Sequence, residues 1–118
     1  MHELGIVDGV LSTVRSTVSH EGAKRALGVT LRIGDMTEVV RESLDFAWDV
    51  LREEDPLTAD CVLTVEEVHP ASVCRACGAS FDHDTRHLRC PACGSGDTRL
   101  LHGRELDIVS VEIEDSDE

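Results

Sequence analysis

The sequence predicts an α+β fold, with a three-stranded sheet, two helices on one face of it and an inserted zinc-ribbon-like module that contains four cysteines. Two segments place apolar residues at three- and four-residue steps, as amphipathic helices do. Three shorter segments alternate apolar with polar residues, as half-buried strands do. Two Cys-x-x-Cys-Gly repeats, at residues 74–78 and 90–94, stand between the last two strand patterns. A chain of 118 residues has room for one domain that carries a smaller module.

The first helix pattern opens the chain and gathers five apolar residues on one face. These residues are Leu4, Val7, Leu11, Val14 and Val18. Gly5 and Gly9 weaken such a helix by about 1 kcal/mol each relative to alanine, so we expect it to depend on tertiary packing. The stretch around Gly22 and Gly28 is expected to break this helix.

The second helix pattern covers about residues 38–54. Its predicted inner face consists of Val40, Leu44, Ala47, Trp48 and Leu51, widened by Val39, Phe46 and Val50. Thr37 is the expected N-cap, and Asp55-Pro56 is the expected stop.

The three strand patterns stand before, after and well beyond this second helix. The first alternates at Val29, Leu31 and Ile33 and ends at Gly34-Asp35, and the second alternates at Cys61, Leu63 and Val65. In the third, residues 105–113, the alternation slips by one position, which a bulge or a strand covered on both faces would explain. We therefore expect one domain from residues 1–69 and 105–118, and a zinc-binding domain at residues 70–104.

The two cysteine repeats predict a structural Zn(II) site formed by Cys74, Cys77, Cys90 and Cys93. A two-residue gap lets both thiolates of a pair reach one ion, and two pairs complete a tetrahedron with Zn–S distances of about 2.3 Å. The glycine after each pair permits a positive φ, so that the backbone turns back toward the sulfurs. Such a closed site leaves no open position for catalysis.

Composition restricts the function further. A formal charge of −13 argues against general binding to nucleic-acid phosphates. The segment 71–104, however, has five arginines against three aspartates, so a zinc ribbon that binds nucleic acid or transcription proteins is the alternative function. The number of cysteines is odd and four of them have the spacing of a metal site, so we expect a cytoplasmic protein. Because the chain has no long apolar run, we expect no membrane insertion. No nucleophile–base pair or phosphate loop is evident, so we expect no enzyme.

A second candidate site lies at the start of the chain. The α-amine of Met1, the backbone nitrogen of His2 and the His2 imidazole Nδ1 can close adjacent chelate rings on one ion, and the backbone nitrogen of Glu3 can add a position. Nitrogen donors in a plane suit Ni(II) or Cu(II) better than Zn(II). A solvated histidine without a ligand is the commoner state of a residue so placed.

Several motifs, in order along nearly the whole chain, resemble the HypA/HybF family of hydrogenase nickel-incorporation proteins. They are Met1-His2-Glu3-Leu4, Leu31-Arg32-Ile33-Gly34-Asp35, Glu42-Ser43-Leu44-Asp45-Phe46-Ala47, the two cysteine repeats and Gly103-Arg104-Glu105-Leu106. The resemblance implies an exchangeable Ni(II) bound at His2 and the amino-terminal backbone. It also implies Glu3 as a neighbour of that site and a contact for partners. Where some members supply a further carboxylate ligand, this chain aligns Val40, which cannot ligate a metal.

The resemblance also implies a role and partners. The role is that of a metallochaperone that delivers nickel to a [NiFe] hydrogenase precursor. The implied partners are a hydrogenase maturation GTPase and the large-subunit precursor, and the resemblance leaves urease maturation proteins open as further partners. His83 and His87, between the cysteine repeats, are either solvated or tune the zinc site, with His87 replacing or supporting Cys90. Cys61 is expected to be a small buried apolar residue.

Overall fold

The computed structural model describes residues 3–116, which fall into two compact units. The first comprises the described residues up to Leu31, Val39–Val65 and the described residues from Asp107, and the second comprises Arg32–Glu38 and Glu66–Leu106. Within residues 3–116 the order of elements is α1 (Glu3–His20), β1 (Arg25–Gly34), α2 (Arg41–Leu51), β2 (Val62–Val68), β3 (Ala71–Cys74), β4 (Ser80–Asp82), β5 (Thr98–His102) and β6 (Leu106–Glu114). None of the helices in this range is both long and apolar enough to cross a bilayer.

The α+β fold class is confirmed: β2, β1 and β6 form a three-stranded sheet in that order, and two α-helices accompany it. The cysteine repeats lie in the chain between β2 and β6, the two edge strands of this sheet. Together α1 and α2 pack against each other and supply most of the first unit's core. Their buried apolar side chains are Val7, Leu11, Val14, Val18, Leu44, Ala47 and Trp48. By contrast, Leu4 is 60% exposed, so its predicted place on the inner face was wrong.

Strand β1 begins at Arg25, four residues earlier than its first predicted apolar position. Gly28 lies inside the strand instead of interrupting the structure. A Cβ atom at Gly28 would lie 3.3 Å from the carboxylate oxygen Oε2 of Glu112 and 3.5 Å from the carbonyl oxygen of Val62. Gly28 therefore reflects crowding against β2 and β6. The predicted break in the helix falls at Gly22, which has φ 64° and follows the end of α1 at His20.

Helix α2 begins at Arg41, three residues after its predicted start. Glu38 adopts a left-handed conformation with φ 59°, which a helix cannot contain, so the segment before α2 turns instead of coiling. The hydroxyl of Thr37 donates to the carbonyl of Gly34 at 2.8 Å within a short 3-10 turn. The N-cap residue is Val40, without a capping side chain, so the expectation of Thr37 at this position was wrong.

The buried face of α2 is narrower than its apolar pattern predicts. Leu44, Ala47 and Trp48 are buried as expected. Val40, Phe46 and Val50 are exposed, with Phe46 at 73%, so their assignment to the inner face was wrong. An α-helix on the surface of a domain buries one stripe and not its whole circumference, and in α2 this stripe contains only the three buried residues.

Strand β6 contains no buried residue, which removes the alternative of a strand covered on both faces. Its half-buried positions include Ile108 and Val111, which are three residues apart. The face that β6 turns inward therefore changes between these residues, where the alternation in the sequence slips.

The second unit contains a small antiparallel sheet with strand order β4–β3–β5. In the same unit the backbone of residues 34–36 lies directly against that of residues 103–105, a contact that we call the backbone crossing. The N–H of Gly34 donates to the carbonyl of Glu105 at 2.8 Å, and the N–H of Met36 donates to the carbonyl of Gly103, also at 2.8 Å. Gly103 has φ 128°, a conformation that glycine adopts without strain. Two of the motifs that carry the family resemblance, at residues 31–35 and 103–106, thus meet backbone to backbone.

Candidate metal centre

Two turns of the same design present the four cysteines of the second unit. In the first, the N–H of Gly78 donates to the carbonyl of Cys74 at 2.9 Å, and Gly78 has φ 82°. In the second, the N–H of Gly94 donates to the carbonyl of Cys90 at 2.8 Å, and Gly94 has φ 77°. Both glycines occupy the left-handed region, so the predicted reason for a glycine after each cysteine pair is confirmed.

The turns bring all four sulfurs into one cluster, with every Sγ atom within 4.8 Å of the others. The Sγ atoms of Cys74 and Cys93 are 3.6 Å apart, and those of Cys77 and Cys90 are also 3.6 Å apart. A regular tetrahedron with Zn–S bonds of about 2.3 Å has edges of about 3.8 Å. The sulfur positions therefore fit a tetrahedral ion of zinc's size, without a side chain having to move far.

The charges of the cluster also favour the binding of a cation. The backbone N–H of Cys77 donates to the Sγ of Cys74 and is the main reason why the pKa of that thiol falls to about 7. At Cys93 the backbone N–H of Ser95 lowers the pKa of the thiol. Hydrogen bonds with the neighbouring cysteines, chiefly Cys74, outweigh this effect and raise the pKa to about 12. Four thiolates this close repel one another unless a dication compensates their charge, and a soft one suits them best.

The centre is covered on one side only. Cys74 and Cys90 are buried, whereas Cys77 and Cys93 are exposed. Each turn therefore contributes its first cysteine from the interior and its second from the surface. The surface sulfurs are the ones that a chelator or a competing metal reaches first.

The two histidines between the cysteine repeats contact other groups. The Nδ1 of His83 donates to the carbonyl of Asp84 at 2.6 Å, so its Nε2 accepts a hydrogen bond from the hydroxyl of Ser72 at 2.7 Å. The Nδ1 of His87 lies 2.7 Å from the carboxylate of Asp84. That hydrogen bond is the main reason why the pKa of Asp84 falls to about 2. Among residues 3–116, the metal-binding group that the structure assembles consists of the four cysteines.

The candidate nickel ligands Met1 and His2 lie outside the described residues. Glu3 is the first residue described, and it opens α1. Its carboxylate oxygen Oε2 accepts a hydrogen bond from the backbone N–H of Val40 at 3.0 Å. This contact ties the start of α1 to the N-cap of α2. No local pattern in the sequence predicts this contact, since the two residues are 37 positions apart.

Cys61 is the fifth cysteine and is buried in the first unit, as predicted. Burial raises the pKa of its thiol to about 11, which keeps the thiol protonated and unsuited to metal binding. Its carbonyl accepts a hydrogen bond from the indole Nε1–H of Trp48 at 3.0 Å. Cys61 is thus part of the core and separate from the cluster.

Comparisons with known proteins agree with this geometry. Residues 1–113 match the family model described as HypA, hydrogenase/urease nickel incorporation, metallochaperone. A hydrogenase maturation factor HypA from Chloroflexus aggregans is 34% identical over 113 residues, covering 95% of this chain and 98% of the relative. The HypA of Desulfatibacillum aliphaticivorans is 31% identical over 119 residues, covering 100% of this chain and 91% of the relative.

Solved structures show the same fold. The solution structure of the nickel metallochaperone HypA from Helicobacter pylori superimposes with a TM-score of 0.70 at 20% identity, covering 98% of this chain and 100% of that one. A second solution structure of a HypA protein gives a TM-score of 0.71 at 21% identity, with 96% of each chain covered. The four-cysteine cluster, the α+β fold and the match along 113 residues lead to one conclusion: the chain belongs to the HypA family, the nickel-incorporation metallochaperones of hydrogenase maturation.

Proposed function

We propose that this protein binds Ni(II) at its amino terminus and delivers it to a [NiFe] hydrogenase precursor. The proposed ligands are the α-amine of Met1, the backbone nitrogen and imidazole of His2, and the backbone nitrogen of Glu3. The observation that carries the proposal is the match to a nickel-incorporation family from residue 1 onward, in a chain whose second residue is a histidine.

The proposed ligand set makes nickel binding dependent on pH. Because amide nitrogens must lose protons to bind, affinity for nickel should fall steeply as the pH falls.

We assign a structural Zn(II) to Cys74, Cys77, Cys90 and Cys93. Sulfur separations of 3.6 Å and the closed set of four thiolates support this assignment. In this proposal, residues 70–104 form the zinc-binding domain, and residues 1–69 with 105–118 form the nickel-binding domain. A zinc ion there stabilises the second unit and takes no part in the transfer of nickel.

The proposed partners are a hydrogenase maturation GTPase and the large-subunit precursor of a [NiFe] hydrogenase, with urease maturation proteins as a further class. Membership of a family described by hydrogenase and urease nickel incorporation supports these partners. The site of action is the cytoplasm, where a reducing environment keeps the four metal-binding thiols available. The protein carries a metal and catalyses no reaction of its own.

The test is a Ni(II) titration of the zinc-loaded full chain, followed by calorimetry and by the absorption of planar nickel. Three variants are compared with the native chain: His2→Ala, a chain extended by one residue before Met1, and His20→Ala as the matched control at the other end of α1. We expect the first two to weaken nickel binding by more than about tenfold, since loss of even an outer partner of a metal ligand costs that much.

Zinc content should stay the same in all four proteins, and His20→Ala should bind nickel like the native chain. The extension tests the α-amine, which no side-chain substitution can remove. Equal affinities in the native, His2→Ala and extended chains would refute the amino-terminal site.

A further inference from the structure

A cavity of about 380 Å³ in the second unit is lined by three arginines, Arg75, Arg99 and Arg104. In a chain with 24 acidic side chains, arginines are expected to find carboxylates. Five arginines do so, namely Arg15, Arg25, Arg32, Arg41 and Arg52. The three around the cavity form neither an ion pair nor a side-chain hydrogen bond with any group of residues 3–116.

The other five lining residues are three apolar ones and two with hydroxyl groups, of which Thr98 donates to the carbonyl of Leu88 at 3.2 Å. Met36, Leu88 and Leu100 contribute apolar side chains to it, and Leu88 is exposed. Ser72 also lines the cavity, but its hydroxyl hydrogen is committed to the Nε2 of His83. Among these side chains, the strong donors left for a ligand are therefore the guanidinium groups. Cavities of this size are typical of small-molecule sites, which combine apolar walls with a few charged groups.

We propose that this cavity binds a phosphate ester, with its dianionic head on the arginines and its organic part against Met36, Leu88 and Leu100. Guanidinium groups present paired N–H donors that match phosphate oxygens. Three positive charges are better matched by a phosphate of charge about −2 than by a single carboxylate of charge −1. A ligand without an apolar part would leave the apolar walls uncovered.

Phenyl phosphate is a suitable probe, because it combines a dianion with an apolar ring and binds metals weakly. Calorimetric titration into the zinc-loaded full chain should give saturable binding at one site. Benzoate, with the same ring and one charge, should bind at least about tenfold more weakly if paired charged hydrogen bonds determine affinity. Binding of phenyl phosphate should also weaken below about pH 6, where the phosphate takes up its second proton.

Substitutions locate the site. Arg99→Gln and Arg104→Gln should each reduce affinity about tenfold, the effect expected from the loss of one charged hydrogen-bonding partner. Arg86→Gln is the matched control, since Arg86 belongs to the same unit and does not line the cavity. It should bind the probe as the native chain does. Arg99→Lys keeps the charge without the planar fork and should give an intermediate affinity.

Zinc content, measured for each variant, checks that the second unit is intact. Three results would overturn the proposal. Equal losses in Arg86→Gln and Arg99→Gln would mean that the probe responds to overall positive charge and not to this cavity. Equal affinities for benzoate and phenyl phosphate would mean that the cavity does not select a phosphate. Absence of saturable binding at millimolar probe would likewise refute it.

Discussion

The substitution Gly34→Ala tests how tightly the backbone crossing in the second unit is packed. A Cβ atom at this position would lie 2.0 Å from the carbonyl oxygen of Gly103 and 2.6 Å from the backbone nitrogen of Arg104. Real Cβ atoms essentially never approach other heavy atoms closer than 3.0 Å. The obstructing atoms belong to the backbone, so no side-chain rotation can relieve the clash.

This geometry sets the loss of stability that Gly34→Ala should cause. The two segments would have to separate by about 1 Å, which strains both hydrogen bonds of the crossing, from Gly34 to Glu105 and from Met36 to Gly103. Overpacking costs about 1–3 kcal/mol. Each lost hydrogen bond adds about 1 kcal/mol. We therefore expect Gly34→Ala to destabilise the second unit by about 3–5 kcal/mol, a large part of the usual stability of a domain.

Two other glycines provide controls in which a Cβ atom meets nothing within 4 Å. Gly9 lies within α1, so Gly9→Ala should stabilise the protein by about 1 kcal/mol through helix propensity alone. Gly22 has φ 64°, so Gly22→Ala should destabilise it by about 1–2 kcal/mol through backbone strain alone. The three substitutions are chemically identical and differ in their surroundings.

The assay is urea unfolding of zinc-loaded protein, followed in parallel by far-ultraviolet circular dichroism and by zinc release to a coloured chelator. Two signals are needed because a protein with two compact units and a metal need not unfold in one step. Gly34→Ala should release zinc at a much lower urea concentration than the native chain. A shift no larger than that of Gly22→Ala would show that the crossing is not tightly packed, and would refute the reasoning.

Three further predictions concern single contacts. Trp48→Phe should destabilise the first unit by about 1–3 kcal/mol, measured by urea unfolding, because it leaves the buried carbonyl of Cys61 without its donor. Asp35 raises the pKa of His69 through a hydrogen bond at 2.8 Å. The pair therefore stabilises the protein fully below about pH 6.5, the ordinary pKa of histidine. This contribution disappears as the pH rises through the raised pKa of His69. Asp35→Asn should remove this pH dependence, which unfolding curves between about pH 5.5 and 8.5 would measure. Cys77→Ser should lower zinc affinity and zinc content, whereas Cys61→Ser should leave zinc content at the native level, by metal analysis after dialysis.

What could be predicted from the sequence is mainly what depends on short separations. The cysteine repeats set their own turns, because each glycine lies one position after the pair that it serves. The buried stripe of α1 also follows from spacing alone, from Val7 to Val18. In each case the residues that interact are within about one helical turn of each other in sequence.

The errors arise where distant residues decide the outcome. The apolar pattern predicts that Phe46 and Val50 are covered, but whether a neighbour covers that side of α2 depends on the tertiary fold. The reason for a glycine at position 28 is equally non-local, because its neighbours Val62 and Glu112 belong to strands that lie far beyond it along the chain. The contact between Glu3 and Val40 likewise joins two helix starts that no local pattern relates.

The four-cysteine cluster and the proposed nickel site are held by their surroundings in different ways. In the cysteine turns the N–H of Cys77 points at a sulfur, so the metal and the turn stabilise each other. At the start of α1 the carboxylate of Glu3 accepts a hydrogen bond from the N–H of Val40, so this end of the helix is held by a side-chain contact that does not depend on a metal. Removal of zinc should therefore loosen the second unit, whereas nickel can leave while α1 and its tie to Val40 stay in place. That difference suits one ion that is retained and another that is passed on.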